Sequence, residues 1–128
     1  MTQLEKTLRD VLSRIPGLKL AILFGSRASG SAGPESDVDL AVLLEEPLSA
    51  QRKEYIIEAV SLELGCPVDV VDLFEAPEPI LGEVLKGRRL LGEDEVYARL
   101  LTRHVINVAD FLPLRERLLD ERRAAWIK

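Results

Sequence analysis

A chain of 128 residues, 47% apolar and 30% charged, has the length and balance of a single globular domain with a substantial core. No run approaches the roughly 18–20 uninterrupted apolar residues of a membrane span. The N-terminal stretch Met1-Thr2-Gln3-Leu4-Glu5-Lys6 lacks the basic start and apolar core of a secretory signal. The one cysteine, Cys66, excludes an internal disulfide framework and a Cys-based zinc site; a cytoplasmic protein with no membrane attachment is expected. The net charge of −5 is unevenly spread: residues 1–96 carry 18 acidic and 10 basic side chains, residues 97–128 carry 4 and 7. So acidic a main part argues against stable nucleic-acid binding through phosphates. The basic tail reads as a solvated helix face or a docking surface.

Taken in chain order, Thr2 caps a first helix running to about Arg14, with Leu4, Leu8, Val11, Leu12 and Ile15 at helical spacing. Pro16-Gly17 ends it, and the apolar run Leu18 to Phe24 predicts a buried strand. A small-residue segment, Gly25 to Ser36, leads into a second strand from Asp37 to Leu44. Pro47 to Leu64 reads as an amphipathic helix closed by Gly65, and Pro67 to Leu73 as a third strand. A short helix ends at about Lys86, and Arg88 to Leu91 forms a small fourth strand. Glu93-Asp94-Glu95 suits the first turn of a long helix that reaches Phe111 or Leu112. Pro113 is expected to break or kink that helix, leaving a last helix over Leu114–Trp126. The expected class is α/β (α+β), a small mixed sheet flanked by helices with long C-terminal helices. A core over residues 1–96 carries a helical extension over 97–128 that packs on the core or on a partner, as one domain overall.

Topology then brings distant residues together. A strand–helix–strand crossover makes the second and third strands parallel, so they start at the same rim of the sheet. Asp37, Asp39 and Asp69 all lie near those starts. The first strand ends at Gly25-Ser26, and it reaches the same rim if it runs antiparallel to the second.

One residue separates Asp37 from Asp39, so on a strand both side chains leave one face. Two close carboxylates repel unless a cation neutralises them, and Mg²⁺ favours such hard oxygen ligands together with substrate phosphates. Gly25 lets backbone approach a ligand closely, and Ser26 offers a hydroxyl and an N–H to phosphate oxygens. Each feature alone is common; joined across ten residues on flanking strands, they are specific.

Gly25-Ser26, ten residues, then Asp37-Val38-Asp39 resembles the signature of the nucleotidyltransferase superfamily that includes DNA polymerase beta. Members add a third carboxylate on a later strand, which Val68-Asp69-Val70-Val71 matches; Asp72 leaves the opposite face and is the weaker choice. The resemblance implies that Asp37, Asp39 and Asp69 are the catalytic and metal-holding residues for two Mg²⁺ ions. It implies that Gly25 and Ser26 hold the triphosphate of ATP, that Arg27 adds a phosphate contact, and that Ser36 shapes the loop beside it. Over its whole length the chain is similar to stand-alone minimal nucleotidyltransferase antitoxins that pair with HEPN-domain toxins. That likeness extends through Val71 to Pro77, Val84 to Leu91 and the Arg-rich end.

What this implies is transfer of AMP from ATP to a tyrosine of a HEPN ribonuclease toxin, in a hetero-oligomer. Two alternatives stay open: an antitoxin that blocks its toxin sterically without catalysis, and a transferase acting on a small molecule or an RNA end. Apolar positions in the last helices (Leu100, Leu101, Ile106, Phe111, Leu112, Leu118 and Leu119) exceed what one small sheet needs, so a toxin interface or a homodimer is expected there. His104, beside Arg103, reads as structural or partner-facing, Cys66 as inert core, and Trp126 as packing.

Overall fold

The computed structural model describes residues 2–29 and 37–126, leaving aside the side chains of Ser29 and, beyond Ala109, all but those of Arg117, Leu119 and Asp120. Helix α1 spans Gln3–Ser13, and the Thr2 hydroxyl caps it by accepting the Glu5 N–H at 3.2 Å. Strand β1 (Leu20–Phe24) is followed by the single-turn α2 (Ser26–Ser29), then β2 (Val38–Leu43). Helix α3 (Ala50–Leu64) begins three residues later than the apolar pattern indicates, because Ser49 is its cap and accepts the Arg52 N–H at 3.1 Å. Gly65 closes α3 in the left-handed conformation at φ 68°. Strand β3 (Val68–Asp72), helix α4 (Ile80–Leu85), strand β4 (Arg88–Gly92) and helix α5 (Asp94–Trp126) complete the chain.

The sheet has the order β3-β2-β1-β4. β1 is antiparallel to both β2 and β4, while β2 and β3 are parallel and joined through α3. The upper rim, where β1 ends and β2 and β3 begin, therefore gathers the loops that carry the polar motif. The lower rim holds the loops after β2 and β3.

Both faces are covered. On one, Val38, Leu40, Val42, Val70 and Leu90 pack under Leu8 and Leu12 of α1 and Ile56 and Val60 of α3. On the other, Leu20, Ile22 and Ala41 pack under Leu81 and Val84 of α4 and Leu100 of α5. This double cover explains why β2 carries apolar residues at every position but Asp39. Truncating any one of the fully buried leucines to alanine costs about 2–5 kcal/mol, a large share of a small domain's stability. Glu5, nearly inaccessible, is matched by Arg88 at 3.1 Å, which ties α1 to β4.

The two C-terminal helices expected from Pro113 are one: α5 is a helix of 33 residues that runs through it. Proline removes one N–H and crowds the turn before it. The carbonyl that loses its donor is that of Ala109, an exposed residue, where water can replace the bond. Among the apolar positions expected to serve an interface, Leu100 is instead core, only 4% exposed. The side chains of Phe111, Leu112, Leu118 and Trp126 lie outside the described residues.

Candidate active site

The upper rim is built by register. Asp39 of β2 stands opposite Phe24 of β1 on one side and opposite Asp69 of β3 on the other. Alternation along the strands sends Asp39 and Asp69 to the face of Ala41, Leu20 and Ile22, the face covered by α4 and α5. Asp37 lies just before β2 and is exposed, as is Asp69, whereas Asp39 is half-buried. Burial first, then the negative charges of Asp69 and Asp37, push the Asp39 carboxyl above the ordinary aspartate range. All three carboxylates thus share one electrostatic neighbourhood.

Gly25 closes the site on the β1 side. Its φ of 76° is one that side-chain-bearing residues rarely adopt. A Cβ there would stand 3.2 Å from the Asp39 Cγ and closer still to its carboxylate oxygen. The backbone therefore passes directly against the carboxylate, with Ser26 exposed as the first residue of α2 and Arg27 half-buried after it. Gly87 makes a second close approach, since a Cβ there would meet Phe24 Cβ at 2.9 Å; the turn before β4 is pressed onto the end of β1. Ser36 lies outside the described residues.

A divalent cation fits this donor set chemically. Three hard carboxylate oxygen donors on one rim, mutually repulsive as they stand, are what such an ion neutralises. Among the described residues, no three His, Cys, Asp or Glu side chains already form a ligating group. Because Asp37 and Asp69 are exposed, rotation about their side-chain bonds is the movement that would bring them onto an ion beside Asp39.

Asp72, at the last position of β3 where Asp69 is at the second, has a different task. Its Oδ2 accepts the Leu48 N–H at 2.8 Å and its Oδ1 the Phe74 N–H at 3.0 Å, at the lower rim. It fastens the loop before α3 to the end of β3. A second polar cluster has no signal in local sequence: Glu78 Oε1 meets His104 Nδ1 at 2.7 Å, and Glu78 Oε2 accepts the Gly82 N–H at 3.2 Å. Burial raises the Glu78 carboxyl, but the hydrogen bond and charge of His104, with Gly82 and Asn107, outweigh it and hold the group below the usual glutamate range. Arg103 donates to the carbonyls of Phe74 at 3.1 Å and Ala76 at 3.4 Å, so the first part of α5 is pinned to the loop after β3. No helix among the described residues is long and apolar enough to cross a membrane.

Comparison with known proteins identifies the family and the fold. Residues 6–96 match the family described as polymerase beta, nucleotidyltransferase. A protein adenylyltransferase MntA of Shewanella oneidensis is 35% identical over 97 residues, 73% of this chain and 68% of the relative. One of the same name from Aphanizomenon flos-aquae is 33% identical over 100 residues, 70% of this chain and 66% of the relative. The fold is similar to that of a chain in the crystal structure of a toxin-antitoxin with AMP-PNP, at 26% identity and a TM-score of 0.78, covering 93% of this chain and 98% of the other. It is also shared, at 23% identity and a TM-score of 0.72, with a chain from tri-AMPylated Shewanella oneidensis HEPN toxin in complex with MNT antitoxin, covering 94% and 96%. With its matched segment running from α1 to the start of α5, the chain belongs to the polymerase beta type of nucleotidyltransferase.

Proposed function

We propose that this nucleotidyltransferase transfers AMP from ATP to a hydroxyl of a partner protein, a tyrosine of a HEPN ribonuclease toxin, and so acts as its antitoxin in the cytoplasm. The observation that carries the reading is the in-register pair Asp39–Asp69 with the Gly25 backbone against it. Two adenylyltransferase relatives above 30% identity and a similar fold determined with AMP-PNP point to the same chemistry.

In this reading Asp37, Asp39 and Asp69 hold Mg²⁺, two ions in all, which offset the charge of the triphosphate and of the displaced pyrophosphate. Gly25 and Ser26 bring backbone and hydroxyl donors to the phosphate oxygens, and Arg27 adds a charge-assisted contact. Ser36 belongs to the loop that shapes the pocket. Asp69, the exposed member of the pair, takes the proton of the acceptor hydroxyl. The acceptor oxygen bonds to the α-phosphorus as the bond to the β-phosphate oxygen breaks, and pyrophosphate leaves. No acceptor pocket is needed in so small a domain when the acceptor arrives on another protein.

The test is incubation of the chain with the HEPN partner, Mg²⁺ and ATP labelled in its adenosine, wild type against Asp39→Ala. Label is expected on the partner with wild type alone. Equal labelling by both proteins overturns the catalytic reading and leaves steric blocking; label on RNA or a small molecule instead overturns the acceptor.

A further inference from the structure

We propose that Val71 is the wall on which the ring of the acceptor tyrosine lies, and that it selects a phenolic hydroxyl over an aliphatic or nucleic-acid one, an inference that rests on the transferase reading above.

Strand order sets the direction from which the acceptor arrives. The order β3-β2-β1 places Asp39 between Asp69 on one flank and Gly25-Ser26, which continue β1, on the other. With neighbouring strands about 4.8 Å apart, the two flanks are separated by about 10 Å. In an in-line displacement the attacking and leaving oxygens stand on opposite sides of the phosphorus. With the triphosphate held on the β1 flank, pyrophosphate departs there and the acceptor oxygen comes in over β3. Among the described residues no strand lies beyond β3, so that flank is the edge of the sheet.

Register decides what the acceptor meets. Phe24, Asp39 and Asp69 form one row on the face covered by α4 and α5, and Ile22, Ala41 and Val71 form the row beneath. Ile22 and Ala41 are 1% and 0% exposed, whereas Val71 is only half-buried. A partly open apolar group thus stands on the acceptor's flank, two residues along the strand from Asp69 and on the same face. Two residues of strand span about 6.6 Å, close to the reach of a tyrosine from its hydroxyl to its Cβ and well beyond that of a serine. A phenol with its hydroxyl at Asp69 sets its ring over Val71; a serine hydroxyl at Asp69 leaves Val71 untouched. From Gly65 to Asp72 the chain carries two aspartates and no basic side chain. The phosphates of an RNA end arriving here meet like charge, and a neutral aromatic side chain does not.

The test uses the HEPN-domain partner in two forms, with the labelled tyrosine intact and replaced by serine. Each is offered with ATP and Mg²⁺ to wild type, Val71→Thr, Val71→Ile and Val68→Thr, and kcat/KM is counted per folded molecule. Val68 is also half-buried on β3 but packs on the opposite face, so it reports the structural cost of the same exchange. Wild type is expected to favour the tyrosine form by about tenfold or more. Val71→Thr is expected to lose about tenfold toward that form with its KM for ATP unchanged, Val71→Ile to retain activity, and Val68→Thr to match wild type. Label on a residue other than tyrosine, or equal kcat/KM for the two acceptor forms, overturns the proposal. So does a Val68→Thr that loses as much as Val71→Thr. If wild type labels no partner at all, the transferase reading fails and takes the wall with it. If Val71→Thr labels the tyrosine form as wild type does, the wall fails and the transferase reading stands.

Discussion

Asp39 and Asp69, thirty residues apart in sequence, face one another in register on adjacent parallel strands. The pair exists because α3 carries the chain back from the end of β2 to the rim where β2 began. Burial first, and then repulsion from Asp69 and Asp37, keep the Asp39 carboxyl above the ordinary aspartate range. A fold keeps such a conflict only where something else resolves it, and a bound cation is the simplest resolution.

Replacing Asp39 by asparagine removes one of the repelling charges while preserving shape. Transferase activity is expected to fall by at least about a hundredfold, whereas thermal stability without metal stays level or rises by a few degrees. Calorimetry beside the labelling assay checks both; a large loss of stability contradicts the repulsion argument.

The same carboxyl sets a pH dependence. Its folded-state value lies above its unfolded value, so its ionisation costs stability, and the cost appears as pH rises through that raised value. Below the unfolded value the group is protonated in both states and costs nothing. Wild type minus Asp39→Asn, followed by urea unfolding from acid to neutral pH, is expected to decline with rising pH, and added Mg²⁺ at neutral pH should recover part of the difference.

Gly25 and Gly65 both have positive φ, but only Gly25 has a carboxylate against it; nothing lies within 4 Å of a Cβ built on Gly65. Gly65→Ala should cost about 1 kcal/mol from conformation alone and leave activity intact. Gly25→Ala should cost more and abolish transfer, because Asp39 must move. Urea midpoints and turnover on the two variants separate backbone strain from loss of the site.

Asp69 and Asp72 should divide cleanly. Asp72→Ala strands two backbone N–H groups and is expected to lower stability by about 1–3 kcal/mol, with turnover per folded molecule retained. Asp69→Asn should do the opposite. Equal loss of activity in both would remove the distinction between the two ends of β3.

Glu78 titrates in the other direction from Asp39. Its carboxyl is held low in the folded protein, so the stability it contributes is present above the ordinary glutamate value and is lost as pH falls through the depressed one. His104→Ala should remove most of that acid dependence, visible as a flatter urea midpoint below about pH 4.5.

Much of this was legible from residues alone, and for a definite reason. Thr2 and Gly65 act through neighbours three and four residues away, so helix ends can be read locally. The meeting of Asp39 and Asp69 follows from the crossover rule, and Gly25 joins them because β1 runs antiparallel to β2. Pro113 misled because propensity describes an isolated helix, and α5 continues through it. Glu78 and His104 were unreadable as a pair, since only the docking of α5 against α4 joins positions 26 residues apart. Leu100 and Leu101 are adjacent and equally apolar, yet one is core and the other half-open, a difference that depends on where a single helix face lands.

β3 is only five residues long, yet its two aspartates serve opposite rims: Asp69 stands at the rim it shares with Asp39, and Asp72 fastens the α3 and α4 connections at the other. The carboxylate rim and the fastened loops thereby lie at separate ends of the domain. Lengthening or rewriting the lower loops is therefore expected to leave the carboxylate rim in place. Sequence change at the lower loops is in this way uncoupled from the spacing of Asp39 and Asp69 at the opposite rim.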